Sequence, residues 1–281
     1  MLITVLVDNE KNKNIHGLSV ERGLSYHIAT MGKQILFDCG SSQVFCDNAK
    51  LLNVNIKDVD AAVISHRHHD HCNGVSYFLN YNSKAMVYIK KCEEKKYFFK
   101  TFGFKRNIGV NQKLFTQSHG RFEFVSEFTE ICNNVFIATV LSKKFSQPKG
   151  NKYLFSKKTH CYERDLFEHE LLMIIKENDG IVIFTGCSHA GVINMVETAI
   201  ELFPNTRIKA VVGGFHLVGL PLFNRLGDSK KNIEAIGQYL LRYPIDKFYT
   251  GHCTGVKAYR VLKNILGERI EYLSTGSSVI I

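Results

Sequence analysis

The chain has 281 residues, a formal charge of +10, 45% hydrophobic residues and eight cysteines; that length suits one large domain or two closely packed halves with ample core, and no run is long enough to read as a membrane span. The cysteines, at 39, 46, 72, 92, 132, 161, 187 and 253, contain no Cys-x-x-Cys pair, which excludes a zinc ribbon or dithiol redox motif and favours free thiols over a disulfide framework. The lysines are scattered, with no recognition helix, RNA-binding signature or zinc finger, so the positive charge is read as attraction for a small anionic substrate rather than for nucleic acid.

Residues 1–8 read as a first strand. They lack the basic leader and cleavage site of a signal peptide, so a cytoplasmic protein is expected. A polar loop follows, then strands at 23–30 and 35–40 joined by a turn at Met31–Gln34. A short helix is expected over Phe45–Leu52, a strand over Ala61–Ile64, a helix from Gly74 to about Asn80 and a strand over Ala85–Ile89. Residues 90 to about 165 differ in character. They are basic and aromatic around Lys95–Arg106, strand-like at Phe122–Val125 and Val135–Val140, and polar from Leu141 to Arg164. They are read as a lid or cap inserted into a single domain spanning 1–281.

Regular elements return at Glu170–Lys176 and Ile181–Thr185, joined by the hairpin turn Glu177-Asn178-Asp179-Gly180. A helix is expected over Val192–Leu202, a strand at Ile208–Val212, a helix over Ser229–Leu241 and a short strand at Phe248–Thr250. A helix from Val256 to about Leu266 should be capped by Gly267. The last strand is Val279–Ile281.

The chemistry centres on Ser65-His66-Arg67-His68-His69-Asp70-His71-Cys72-Asn73-Gly74, a loop between a buried strand and a helix. His66 and His68 are two apart, so extended backbone turns both imidazoles the same way. Asp70 and His71 add a carboxylate and a third imidazole. A terminal His tag has no such strand before it, and a surface His-rich loop has no such helix start after it. Imidazole and carboxylate suit zinc, iron or manganese. The same pattern of apolar strand, small-residue loop and histidine recurs at His189, His216 and His252. In a strand–loop–helix layout, loops of this kind gather at one edge of the sheet.

With these motifs the chain resembles the metallo-β-lactamase superfamily. The subgroup it is most similar to is that of the archaeal synthase of 7,8-dihydropterin-6-methyl-4-(β-D-ribofuranosyl)-aminobenzene 5′-phosphate. Besides His-x-His-x-Asp-His, the stretches that carry the likeness are Leu6-Val7-Asp8-Asn9, Glu21-Arg22-Gly23-Leu24-Ser25, Leu36-Phe37-Asp38-Cys39-Gly40, Gly186-Cys187-Ser188-His189-Ala190-Gly191, Gly213-Gly214-Phe215-His216-Leu217 and His252-Cys253-Thr254-Gly255.

The resemblance implies an α+β fold, a four-layer αββα sandwich. It implies two divalent metal ions, zinc by preference, with iron or manganese accepting the same ligands. His66, His68 and His189 would hold the first, and Asp70, His71 and His252 the second. Many relatives bridge the two with an aspartate where this chain has Phe215-His216, so His216 is carried as a ligand or substrate-facing residue. Asp70 and His216 are the residues expected to act in the reaction. Asp38, and less strongly Asp8, would support ligand imidazoles from beneath. Ser188, Thr254 and Lys257, together with His216, are candidates to receive a substrate phosphate, Thr254 because it lies beside a helix start.

The implied reaction is attack by a metal-bound hydroxide on a small phosphoester or phosphodiester. A synthase-like transfer releasing pyrophosphate is the alternative. β-Lactam hydrolysis, di-iron redox chemistry and a non-catalytic nucleic-acid-binding module are less favoured. No membrane partner is expected, and a homo-oligomer is compatible with the sequence.

Overall fold

The computed structural model describes residues 1–117, 120–158, 161–219 and 225–281. The strands run β1 Leu2–Val7, β2 Ser25–Thr30, β3 Lys33–Phe37, β4 Ala61–Ile64, β5 Met86–Lys90, β6 Lys96–Thr101, β7 Phe104–Asn107, β8 Phe122–Val125 and β9 Thr129–Cys132. They continue β10 Val135–Ala138, β11 Leu154–Lys157, β12 Tyr162–Arg164, β13 Leu172–Glu177, β14 Gly180–Thr185, β15 Ile208–Gly213, β16 Ile245–Thr250, β17 Ile270–Tyr272 and β18 Ser278–Ile280. The α-helices are α1 Val44–Leu51, α2 His69–Cys72, α3 Val75–Tyr81, α4 Lys113–Gln117, α5 Val192–Leu202, α6 Lys230–Leu241 and α7 Gly255–Leu266. No helix among the described residues is long and apolar enough to cross a membrane.

Two compact units divide the chain. The first comprises Met1–Ser126, Leu154–His169 and Leu273–Ile281, the second Glu127–Tyr153 and Glu170–Tyr272. In the first unit a seven-stranded sheet has the order β18-β1-β2-β3-β4-β5-β8. Strands β18, β1, β2 and β3 pair antiparallel, and β4, β5 and β8 add on in parallel. Strand β4 lies between two parallel neighbours, which explains its unbroken apolar sequence: all four of its residues are buried. Phe45, Val75 and Phe78, from α1 and α3, join Leu36, Ala62, Ile64, Val87 and Ile89 in one apolar cluster. A separate four-stranded sheet, β12-β11-β6-β7, also belongs to this unit. Residues 118–119 and 159–160 of the region expected as a lid lie outside the described residues.

The second unit repeats the plan with a sheet of order β17-β16-β15-β14-β13-β10-β9. It is antiparallel from β9 to β14 and parallel from β14 to β17. The hairpin turn is as expected, with Glu177 opposite Gly180. Every residue of β14 is buried. Helix α5 turns Val192, Met195, Val196 and Ala199 into the core, and α7 turns Ala258, Leu262 and Leu266 the same way. These are i, i+3, i+4, i+7 spacings in α5 and i, i+4, i+8 in α7, one stripe of each helix. Ser229 caps α6 by accepting a hydrogen bond from the Asn232 amide at 3.2 Å, a contact of the kind worth about 1 kcal/mol. Gly267 ends α7 with φ +56°, a left-handed conformation that glycine adopts without strain.

Candidate metal centre

The expected ligands divide between the units: His66, His68, Asp70 and His71 in the first, and His189, His216 and His252 in the second. Each group leaves the carboxyl end of a strand that is parallel to a neighbour, namely β4, β14, β15 and β16.

In the first unit the loop after β4 is fully buried at His66 and His71 and nearly so at His68 and Asp70. Asp38 organises it. This residue has φ +58°, outside the region that L-residues prefer. One carboxylate oxygen accepts the Ser65 amide at 2.7 Å. The other accepts the Ser65 hydroxyl at 2.7 Å and His71 Nδ1 at 2.6 Å. The Ser65 hydroxyl proton is thus spent on Asp38, so its oxygen accepts from His66 Nδ1 at 2.9 Å. These partners assign the protons of both rings to Nδ1 and turn both Nε2 lone pairs outward. His66 Nε2 lies 3.0 Å from His68 Nδ1. Two nitrogens bound tetrahedrally to one zinc, each at about 2.0–2.1 Å, would stand about 3.3 Å apart. The donor pair therefore fits a cation.

A second buried network backs His68. The Arg67 amide donates to His169 Nδ1 at 3.1 Å, so the proton of that ring sits on Nε2, 3.1 Å from an Asp165 carboxylate oxygen. The same oxygen is 3.7 Å from His68 Nε2. Burial, the dominant cause, lowers the His68 pKa to about 4. Burial alone would raise the Asp165 carboxyl, but the neighbouring His169 and His68 rings hold it far below the usual carboxylate range. Neither Asp165 nor His169 carries a sequence motif. The sequence offers only a histidine two residues before the apolar run at 171–175. Asp70 lies 3.4 Å from the Arg22 guanidinium. Asp8 is buried, and its carboxylate accepts the Glu10 amide at 3.0 Å.

In the second unit Glu170 clamps the loop after β14, accepting the His189 and Ala190 amides at 2.7 Å each. Asn151 grips His189 from both ends. Its amide donates to the His189 carbonyl at 2.8 Å, and its oxygen lies 3.1 Å from His189 Nδ1. Sequence reasoning missed both Glu170 and Asn151, because each acts across a gap in the chain. Ser188, His216 and His252 all have positive φ, at 54°, 48° and 47°. Such strain outside glycine concentrates where surrounding structure fixes a functional side chain. The His189 and His216 rings lie 4.3 Å apart.

The ligand atoms of Cys187, His189 and His216 lie within 4.8 Å of one another, as do those of Cys187, His252 and Cys253. The Ser188 hydroxyl donates to the Gly214 carbonyl at 2.7 Å. The Thr254 hydroxyl accepts the Phe215 amide at 2.9 Å. Both are engaged by the loop after β15, while Lys257 is exposed on the first turn of α7. Gly214 lets the strand ends close up: a Cβ there would meet Cys253 Sγ at 2.4 Å. Burial alone would push the Cys253 thiol up, but hydrogen bonds with Cys187 and His216 and the charges of His252 and His216 hold it well below the ordinary range. A cavity of about 360 Å³ opens beside His216, walled by Phe145, Ile193, Phe215, Ile236 and Tyr239.

The family model described as the metallo-β-lactamase superfamily matches residues 18–108. Together with the relatives below, this makes the chain similar to that superfamily, and its fold is the four-layer αββα sandwich. Among solved structures it is similar to Tm1679, a metal-dependent hydrolase of the β-lactamase superfamily, with 29% identity, a TM-score of 0.83 and coverage of 100% of this chain and 99% of that one. Two proteins of Methanocaldococcus jannaschii are also similar. An uncharacterized protein is 29% identical over 269 residues, 94% of each chain. The 7,8-dihydropterin-6-methyl-4-(beta-D-ribofuranosyl)-aminobenzene-5'-phosphate synthase is 26% identical over 271 residues, 92% of this chain and 90% of its own. Ligand groups of this kind on this fold support a metal-dependent hydrolase or transferase.

Proposed function

We propose that the chain is a dinuclear metal-dependent hydrolase of small phosphorylated substrates. His66, His68 and His189 hold one divalent cation, and Asp70, His71 and His252 the other, with zinc the preferred ion. The observation that carries the reading is the 3.0 Å approach of His66 Nε2 to His68 Nδ1 in a buried loop whose supporting imidazoles are already turned by Ser65 and Asp38. The similarity to a metal-dependent hydrolase over the whole chain supports it. When bound, a pair of cations acidifies water to near neutral pH and stabilises negative charge on a phosphoryl oxygen.

The chain's own groups supply the rest. Asp38 fixes His71, and Asn151 fixes His189, so that little reorganisation accompanies binding. His216 stands beside the cavity and can orient a substrate oxygen there. The apolar walls suit an uncharged body attached to the phosphate, and the charge of +10 favours approach of an anion. Transfer rather than hydrolysis is the second reading, favoured by the 26% identity to the dihydropterin synthase over 92% of this chain.

Elemental analysis of protein purified without added metal, joined to a panel of phosphomonoesters, phosphodiesters, pterin pyrophosphates and β-lactams, tests the proposal. Two divalent ions per chain and chelator-sensitive turnover of a phosphoester are expected. Metal-free protein that no added metal activates on any of these classes would overturn it.

A further inference from the structure

The resemblance leaves one ligand unaccounted for, since no aspartate stands where many relatives bridge the two cations. The second unit offers a substitute. Cys187 is common to two ligand groups of that unit. Its sulfur lies within 4.8 Å of one ring nitrogen each of His189 and His216, and within 4.8 Å of a ring nitrogen of His252 and of the Cys253 sulfur. The proposed function assigns His189 and His252 to different cations. An atom near both is where a shared ligand belongs.

Other thiols of the protein are placed differently. Cys39, Cys46 and Cys72 are packed into the apolar cluster of the first unit. Cys187 is equally buried, yet it is absent from the apolar cluster described for the second unit. Its surroundings are imidazoles. Cys253 is turned toward the backbone: its sulfur accepts the His216 amide at 3.3 Å and lies 3.5 Å from the Cys187 carbonyl. That sulfur also occupies the space a Cβ at Gly214 would need. The spacing that a ligand role requires falls inside that 4.8 Å limit. Zinc–sulfur and zinc–nitrogen bonds of about 2.3 and 2.0–2.1 Å set the two donor atoms about 3.6 Å apart around one ion. A sulfur bonded to two ions spans the separation of about 3.5–4 Å found in two-metal sites.

We propose that Cys187 supplies a thiolate shared by the two cations in place of the missing carboxylate. The inference rests on the dinuclear reading above. It also narrows the metal, because a soft thiolate selects zinc, iron or cobalt over magnesium or manganese.

Cobalt(II) loaded into the full-length chain tests it without reference to turnover. The parent protein should bind two cobalt ions and show a thiolate-to-cobalt charge-transfer band in the near ultraviolet. Cys187→Ser should lose the band and bind its second cobalt about tenfold or more weakly. Cys187→Asp should lose the band yet keep two ions, because a carboxylate restores the bridge. Cys253→Ser should keep the band. Far-ultraviolet circular dichroism on each variant reports folding. Two bound cobalt ions with no charge-transfer band in the parent would overturn the thiolate while leaving the dinuclear reading intact. A band lost in Cys253→Ser but retained in Cys187→Ser would overturn it as well. Failure of the folded parent to bind cobalt would overturn both.

Discussion

Asp38 is the most informative residue to change, because three hydrogen bonds converge on it in a fully buried place. Asp38→Ala strands the Ser65 amide, the Ser65 hydroxyl and His71 Nδ1. A buried donor left unmatched costs about 1–3 kcal/mol, so the metal-free protein should lose about 3 kcal/mol or more, even with some relief from water entering the gap. Asp38→Asn separates this cost from the effect on the ligand. The amide oxygen can still accept the Ser65 amide, but the NH₂ group now faces Ser65 Oγ and His71 Nδ1. It can donate to Nδ1, which moves the imidazole proton to Nε2 and withdraws the lone pair offered to a cation. Metal affinity should fall about 10–100-fold, with about 1.5–3 kcal/mol lost from the metal-free fold as charge-assisted bonds disappear. Competition titration against a chromophoric chelator measures the first quantity, and urea unfolding of the metal-free protein the second. If Asp38→Asn unfolds more easily yet binds metal as tightly as the parent, Asp38 only props the loop, and the argument for imidazole orientation is wrong.

Asp165→Asn should weaken metal binding by about tenfold, since its carboxylate faces His68 Nε2, and a chelator competition assay reads this directly. Metal-free protein should lose stability as pH falls. His68 stays neutral in the fold down to about 4 but takes a proton near 6.5 when unfolded; the unfolded state therefore binds more protons across that window. The loss should approach the order of 3 kcal/mol between pH 6.5 and 4, and a urea midpoint that does not move over that range would contradict the assignment. Gly213→Ala should be destabilising by well over 1 kcal/mol or prevent soluble expression, because φ is +140° and the added carbon would lie 1.8 Å from the Thr185 carbonyl oxygen; a melting temperature equal to the parent's would refute it. Zinc at about 100 times its dissociation constant should add about 2.7 kcal/mol to unfolding, reversed by chelator.

Local pattern carried much of the fold. Ala61–Ile64, between two parallel neighbours, and Ile181–Thr185, between an antiparallel and a parallel one, read as buried strands because a strand covered on both faces demands continuous apolar side chains. Helix α5 was legible to the residue because its apolar stripe starts after one glycine, Gly191, and stops at Leu202. The strands β6, β7, β11 and β12 were read as irregular, basic and polar chain. The central pairing explains why: Phe99 is bonded opposite Leu154 and Phe98 opposite Phe155, so the two local hairpins, β6–β7 and β11–β12, are joined by partners more than fifty residues apart. Their burial does not alternate either, Lys96–Thr101 being covered only at Tyr97 and Phe98. The short edge strand Ile270–Tyr272 was likewise absent from the sequence reading.

The candidate ligands were legible because histidines beside glycine at strand ends form a spacing that can be recognised. The groups that orient them were not. Asn151, Asp165, His169 and Glu170 act through contacts 19 to 102 residues away in sequence, and no local pattern announces such contacts. Cys187 was quoted within a motif, but only the geometry draws attention to its sulfur.

Anomalous scattering at the zinc edge from crystals of the protein purified with zinc tests the account most directly. Two peaks are predicted, one ligated by His66 Nε2, His68 Nδ1 and His189, the other by Asp70, His71 and His252. Strong peaks confined to other residues, with none on His66 and His68, would contradict it.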